Sequence, residues 1–192
     1  MSFIEPPARM PLLLRAALAL VERRLGKRLL ANRILAWFPK AAVGSGIMEA
    51  LVAYGDAEVP ARLLSLVRLR TAFRIACPFC VDMNSRDLPR AGVTDAEVAA
   101  LQAADSAAAC PTISAAEAAA LAYVDCICAA PLAFPPAVID EMKRHYSPRA
   151  MVIVASTSAQ VNFWGRLIQS LGVPPAGFSE ACAVPPARGP DR

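Results

Sequence analysis

Helix-start signals recur along this chain at intervals of about one helix, and no segment alternates apolar and polar residues as a half-buried strand does. Thr94-Asp95-Ala96-Glu97 and Ser114-Ala115-Ala116-Glu117 are both capping boxes, in which a hydroxyl and a glutamate satisfy the free N–H groups of a first turn. Pro60, Pro78, Pro135-Pro136 and Ser147-Pro148 suit first turns for a related reason, since proline has no N–H to leave unpaired. Gly55, Gly92 and Gly172 suit helix ends. Between these marks apolar residues recur at three- and four-residue steps, as in Leu14, Leu18, Val21, Leu25 and Leu29. The pattern predicts a helical stretch up to Pro39, then helices over about 41–54, 57–74, 78–92, 95–104, 115–130, 135–146 and 148–172. The fold class is therefore all-α, with about seven or eight helices.

A chain of 192 residues fits one domain or a compact pair of subdomains. At 56% hydrophobic residues and a net charge of +4 it is too apolar and too weakly charged for long-range disorder. The mean hydropathy of +0.42 invites a membrane reading. Yet no run reaches the ~20 apolar residues of a spanning helix. The best attempt, 11–21, is broken by Arg15, and much of the hydropathy is alanine. No repeat of solenoid length is visible. No convincing leader pattern precedes the first charges, so a cytoplasmic, reducing location is expected. The six cysteines are too few and too scattered for a disulfide scaffold. Cys110, Cys126, Cys128 and Cys182 read as small core residues.

Basic residues gather at the start: Arg9, Arg15, Arg23, Arg24, Lys27, Arg28, Arg33 and Lys40 stand against Glu5 and Glu22. A solvated helix face is the plain reading, and contact with a membrane surface or an acidic partner the sharper one. No nucleic-acid partner is expected, because few aromatic residues are interleaved with the charges.

Cys77-Pro78-Phe79-Cys80 is the one constellation with chemistry in its spacing. Two positions three apart share a helix face, with Cβ atoms about 5–6 Å apart. Pro78 puts the pair at a helix start, where free N–H groups and the helix dipole favour a thiolate. Two cysteines that merely fall three apart are the structural alternative. A zinc site lacks further ligands, since His145 is the only histidine and no second pair of this spacing exists. No metal and no cofactor is expected. A thioredoxin-type site would need a preceding strand. Arg70 and Arg74 are the nearest cations in sequence that would lower a thiol pKa.

The run Leu66-Val67-Arg68-Leu69-Arg70, followed by Cys77-Pro78-Phe79-Cys80-Val81-Asp82-Met83-Asn84, resembles the core of the carboxymuconolactone decarboxylase / alkylhydroperoxidase D-like superfamily. Val161-Asn162-Phe163-Trp164-Gly165-Arg166-Leu167 resembles its Asn- and Arg-bearing last helix, and the resemblance spans roughly residues 30–178. It implies an all-α fold that assembles into homo-oligomers. It also implies reduction of hydroperoxides: Cys80 attacks, Cys77 condenses with it to a disulfide, and a dithiol protein or small thiol restores the pair. The peroxidase branch carries a glutamate and a histidine where this chain has Ser65 and Asn84. Neither replacement takes up a proton near neutral pH, so weakened activity is expected. Ser65 would hold a water, and Asn84 would donate a hydrogen bond to a sulfur anion. The alternatives are a catalytically degenerate, redox-responsive or structural homo-oligomer of the same fold and, against the retained pair, a decarboxylase-type enzyme.

The resulting organisation is an amphipathic helical extension over 1–38, a helical domain over 39–178 and a flexible Pro-rich tail over 179–192, with an extended arm from Val173 onward. The stretch 12–38 is expected to pack on a neighbouring subunit, with the membrane surface as runner-up. Asn162, Trp164 and Arg166 read as structural rather than catalytic, with Arg166 paired to Glu117 or Asp125. His145 reads as a surface residue near a helix end.

Overall fold

The computed structural model describes residues 2–52, 57–103 and 110–179. Among them the regular elements are helical: α1 (Leu12–Leu25), α2 (Leu30–Ile34) with a following single 3-10 turn (Leu35–Trp37), α3 (Pro39–Val52), α4 (Ala61–Arg74), α5 (Pro78–Ser85), α6 (Asp95–Gln102), α7 (Ala115–Cys128), α8 (Pro136–His145) and α9 (Pro148–Ser170). The expected all-α class is the class observed. Readings that fall on Gly55, Ala104, Cys182 and the tail beyond Ser179 lie outside the described residues. No helix among the described residues is long and apolar enough to cross a membrane.

The caps act as their residue types require. Thr94 and Ser114 each accept from the backbone N–H of the glutamate three residues on, and each glutamate accepts from the cap's own N–H. Ser147 accepts from the N–H of Ala150 at 3.1 Å to open α9. The first departure from the sequence reading is at Gly26. Its φ of 69° is left-handed, a conformation cheap for glycine, and it ends α1. The stripe from Leu14 to Leu29 is thus two helices with a bend, and Leu29 falls at the start of α2.

α4 is the axis of the molecule. It packs against α5, α6, α7 and α9, and its apolar residues divide between two cores. Leu66 and Leu69 join Ile34, Val81, Leu101 and Ile168 in one. Leu63 and Val67 join Val59, Val124, Met142 and Val154 in the other. Ala31 and Ile34 belong to the first core, so the second half of the N-terminal segment is built into the domain.

Two arginines of α4 tie it to α6 and α7. Arg70, only 2% exposed, donates twice to Asp125 of α7 (2.8 and 2.7 Å) and also to the carbonyls of Leu101 and Ala103. Arg62 binds Glu97 at 2.6 Å and Glu117 at 2.8 Å, so the glutamates of both capping boxes converge on one guanidinium. That guanidinium, followed by the backbone N–H of Thr94, holds the buried Glu97 carboxyl down at about 2 despite the opposing cost of burial.

The arm from Val173 is anchored at its start. The backbone N–H groups of Ala176, Gly177 and Ser179 all donate to the buried carboxylate of Asp82 on α5, at 2.8 to 2.9 Å. Val173 itself is buried, which corrects the reading of these first residues as a free arm.

Candidate redox site

Cys77 and Cys80 are paired as a disulfide across the first turn of α5, with Cα atoms 5.2 Å apart. Cys77 is the N-cap, Pro78 is the first helical residue, and the N–H of Cys80 donates to the Cys77 sulfur at 3.2 Å. An N-cap normally supplies an oxygen to a free first-turn N–H, and here a sulfur fills that place. Ala76, with φ 48°, turns the chain sharply from α4 into this helix. A non-glycine residue costs about 1–2 kcal/mol in that region, so the surrounding packing enforces the turn. On the other side α9 approaches through Gly165, where a Cβ would collide with the Ile75 side chain and stand 3.5 Å from the Cys77 Cβ.

The two sulfurs have unequal surroundings. Cys77 is fully buried, at 0% exposure. Cys80 is 3% exposed and lies on the wall of a cavity of about 620 Å³ that Cys77 does not reach. Phe79, Met83, Val161 and Trp164 give this cavity an apolar side. Glu49, Ser65, Arg68 and Asn84 give it a polar one.

The polar side is a connected network. Arg68 donates to Asn84 Oδ1 at 2.8 Å, to Gln160 Oε1 at 2.8 Å and to Glu49 Oε1 at 3.0 Å. The other oxygen of Glu49 accepts from Gln160 at 2.9 Å and from the indole N–H of Trp164 at 3.0 Å. Asn84 donates to the Cys80 carbonyl at 2.7 Å. A carboxylate from α3, a guanidinium from α4 and an amide from α5 thus meet at the wall that carries the Cys80 sulfur.

The profile of the carboxymuconolactone decarboxylase family matches residues 45–122, which include both cysteines, Glu49 and Arg68. Over that segment the chain is similar to the carboxymuconolactone decarboxylase family, in line with the resemblance carried by its cysteine motif and flanks. No curated protein matches it significantly. Among solved structures it is similar to the debrominase Bmp8, at 22% identity over 93% of each chain with a TM-score of 0.71. It is similar to the alkylhydroperoxidase AhpD core of an uncharacterized peroxidase-related protein from Ralstonia eutropha JMP134, at 17% identity over 91% of this chain and 92% of that one, TM-score 0.75. A further uncharacterized peroxidase-related protein, from Silicibacter sp. TM1040, shares 11% identity over 89% of this chain and 90% of that one, TM-score 0.76. At these identities the likeness is one of fold.

Against the superfamily's peroxidase branch, the structure brings Ser65, Asn84 and Cys80 to one cavity, with Cys77 bonded to Cys80. The roles expected of the two substitutes change. Ser65 donates to the Ala61 carbonyl at 3.0 Å. Asn84 spends its amide on the Cys80 carbonyl and on Arg68, where a contact with sulfur was expected. The cation that binds Asn84 and Glu49 on the cavity wall is Arg68, and Arg86 lines the same cavity. Arg70 is committed to Asp125, and Arg74 stands 3.4 Å from the same carboxylate, so neither serves the cysteines. Arg166 is exposed and pairs with neither Glu117 nor Asp125.

The last helix divides. Trp164 lines the cavity, whereas Asn162 faces Ser158 and Cys128. Cys110 and Cys128 are half-buried and pack against the two cores, and Cys126 is half-buried. Desolvation pushes the Cys126 and Cys128 thiols up, away from reactivity. His145 ends α8, 3.0 Å from Glu141 and away from the cavity, as a surface residue would.

Glu49 is the site residue that sequence reasoning missed. One signal pointed to it: in α3, PKAAVGSGIMEALV, it is the lone carboxylate of a helix otherwise almost free of charge.

Proposed function

We propose that this protein is a thiol-dependent oxidoreductase that reduces small organic hydroperoxides through Cys80 and Cys77. The observation that carries the reading is the asymmetry of the pair: Cys80 lines a substrate-sized cavity, and Cys77 is buried and does not. The Cys80 thiolate attacks one peroxide oxygen, the O–O bond breaks, and an alcohol leaves once its alkoxide takes a proton. Cys80 is then a sulfenic acid. The Cys77 thiol attacks that sulfur, water leaves, and the disulfide forms. An external dithiol returns two electrons and two protons.

Glu49 stands in for the missing proton carriers, and Arg68 supplies charge rather than a proton. Glu49 is a carboxylate on the cavity wall that accepts from Arg68 and Gln160. Arg68 sets a fixed positive charge beside the region where a thiolate and then an alkoxide develop. Peroxide consumption with a dithiol reductant tests the proposal. Cys80→Ser is expected to remove it entirely, and Cys77→Ser to leave a single turnover. Equal inactivity of native chain and Cys80→Ser would leave the alternative, a degenerate member of the fold.

A homo-oligomer is proposed on a separate observation. Val43, Ile47 and Leu51 recur at four-residue steps along one face of α3 and are all more than half exposed.

A further inference from the structure

The basic N-terminal residues have no part in the redox chemistry above, and the fold sorts them into distinct positions. Lys27 is occupied by the Ala176 carbonyl at 3.3 Å and by the Phe178 ring. Arg23 and Arg24 end α1. Arg9, Arg15, Arg28 and Arg33 converge: the loop before α1, α1 itself, the bend after Gly26 and α2 each bring one guanidinium to a single cleft of about 450 Å³. Pro6, Pro7, Ala8 and Met10 complete its wall, and no acidic side chain lines it.

The loop that walls the cleft is fastened by neutral bonds, and one of the four guanidiniums is already paired. The N–H of Phe3 donates to the Leu171 carbonyl at 3.0 Å, and the Trp37 indole donates to the Glu5 carbonyl at 2.8 Å. Together they fasten the 3–10 loop to the body of the molecule. Arg33 is fixed by Glu22, which takes its Nε at 2.7 Å and its Nη2 at 2.5 Å. Arg9 and Arg15 form no ion pair among the described residues, and Arg28 acts on Glu22 through space without a direct salt bridge. Like charges gathered on one cleft repel one another, and an anion of matching charge relieves the repulsion. Guanidinium forks match phosphate oxygens in pairs, and lysine does not.

We propose that this cleft binds a phosphate-bearing anion. The ligand is a compact organic phosphate or the phosphate headgroup of a lipid, the two sources sharing the group recognised. Exposed Leu12 and Leu13 beside Arg15 would touch acyl chain in the second case and water in the first.

The test uses the full chain and two double variants of equal charge loss. Arg9→Gln with Arg15→Gln removes two cleft guanidiniums, both exposed and free of ion pairs among the described residues. Arg23→Gln with Arg24→Gln removes two from the end of the same helix, away from the cleft. Pyrophosphate is titrated by calorimetry at fixed ionic strength, and flotation is measured with vesicles of phosphatidylcholine, with and without phosphatidic acid. Saturable pyrophosphate binding, or flotation that requires phosphatidic acid, is expected in the native chain. The cleft variant should weaken it about a hundredfold, roughly tenfold for each guanidinium lost, and the helix-end variant should not. Pyrophosphate binding marks a soluble ligand, and flotation alone marks a headgroup. The proposal is overturned if neither probe is held, or if both variants lose binding equally, which is the behaviour of diffuse charge.

Discussion

Glu49→Gln is expected to slow peroxide consumption by about 10²-fold or more, the usual scale for removing a general acid–base group. Glutamine keeps the shape of the side chain and one acceptor for the Trp164 indole. It cannot take a proton, and with its oxygen kept toward Gln160 and Trp164 its NH2 faces Arg68, a donor from which it cannot accept. A purely structural role predicts something else: a lower urea midpoint, with a rate that Glu49→Asp does not restore. The proton-carrying role predicts a near-native urea midpoint in Glu49→Gln and a rate that Glu49→Asp partly restores. Peroxide turnover, measured beside urea unfolding for the three proteins, separates the two. A native rate in Glu49→Gln would remove Glu49 from the chemistry.

The largest loss of stability is expected at Arg70. Arg70→Ala strands the carboxylate of Asp125 and the carbonyls of Leu101 and Ala103 at once. Removing one partner of a buried ion pair costs about 3–5 kcal/mol, a large share of the roughly 5–15 kcal/mol that holds a domain folded. Arg74, 3.4 Å from Asp125, offsets a little of that. Arg70→Lys should recover only part, since an ammonium does not reproduce a planar fork that serves a carboxylate and two carbonyls together. Urea unfolding reads the effect directly. A cost for Arg70→Ala below about 1 kcal/mol would mean that these groups find other partners.

Much of the fold was legible because its helices begin on residues that do little else well. Thr94, Ser114 and Ser147 cap, Pro78, Pro136 and Pro148 open first turns, and each does so in the structure. The bend at Gly26 was hidden inside an apolar stripe that continued in phase across it. The cysteine pair was legible for the same reason as the helix it opens. The cation beside it was not, because nearness in sequence pointed to Arg70 and Arg74. Helical phase is the better guide: Ser65 and Arg68, three apart on α4, share the cavity, while Arg70, two further on, turns to the opposite side and meets α7. Glu49 lay beyond either signal, since only packing brings α3 alongside α9 and the start of α5.

On the proposed function, Cys77 and Cys80 cycle between dithiol and disulfide, with Cys80 the sulfur that meets substrate. Intact-mass measurement after stoichiometric organic hydroperoxide, followed by a thiol-alkylating tag, tests it most directly. The account predicts that the reduced protein is tagged first at Cys80, that hydroperoxide removes two tags from this pair by joining the sulfurs, and that a dithiol restores both. A pair that keeps both tags after hydroperoxide, or that is tagged first at Cys77, would contradict it.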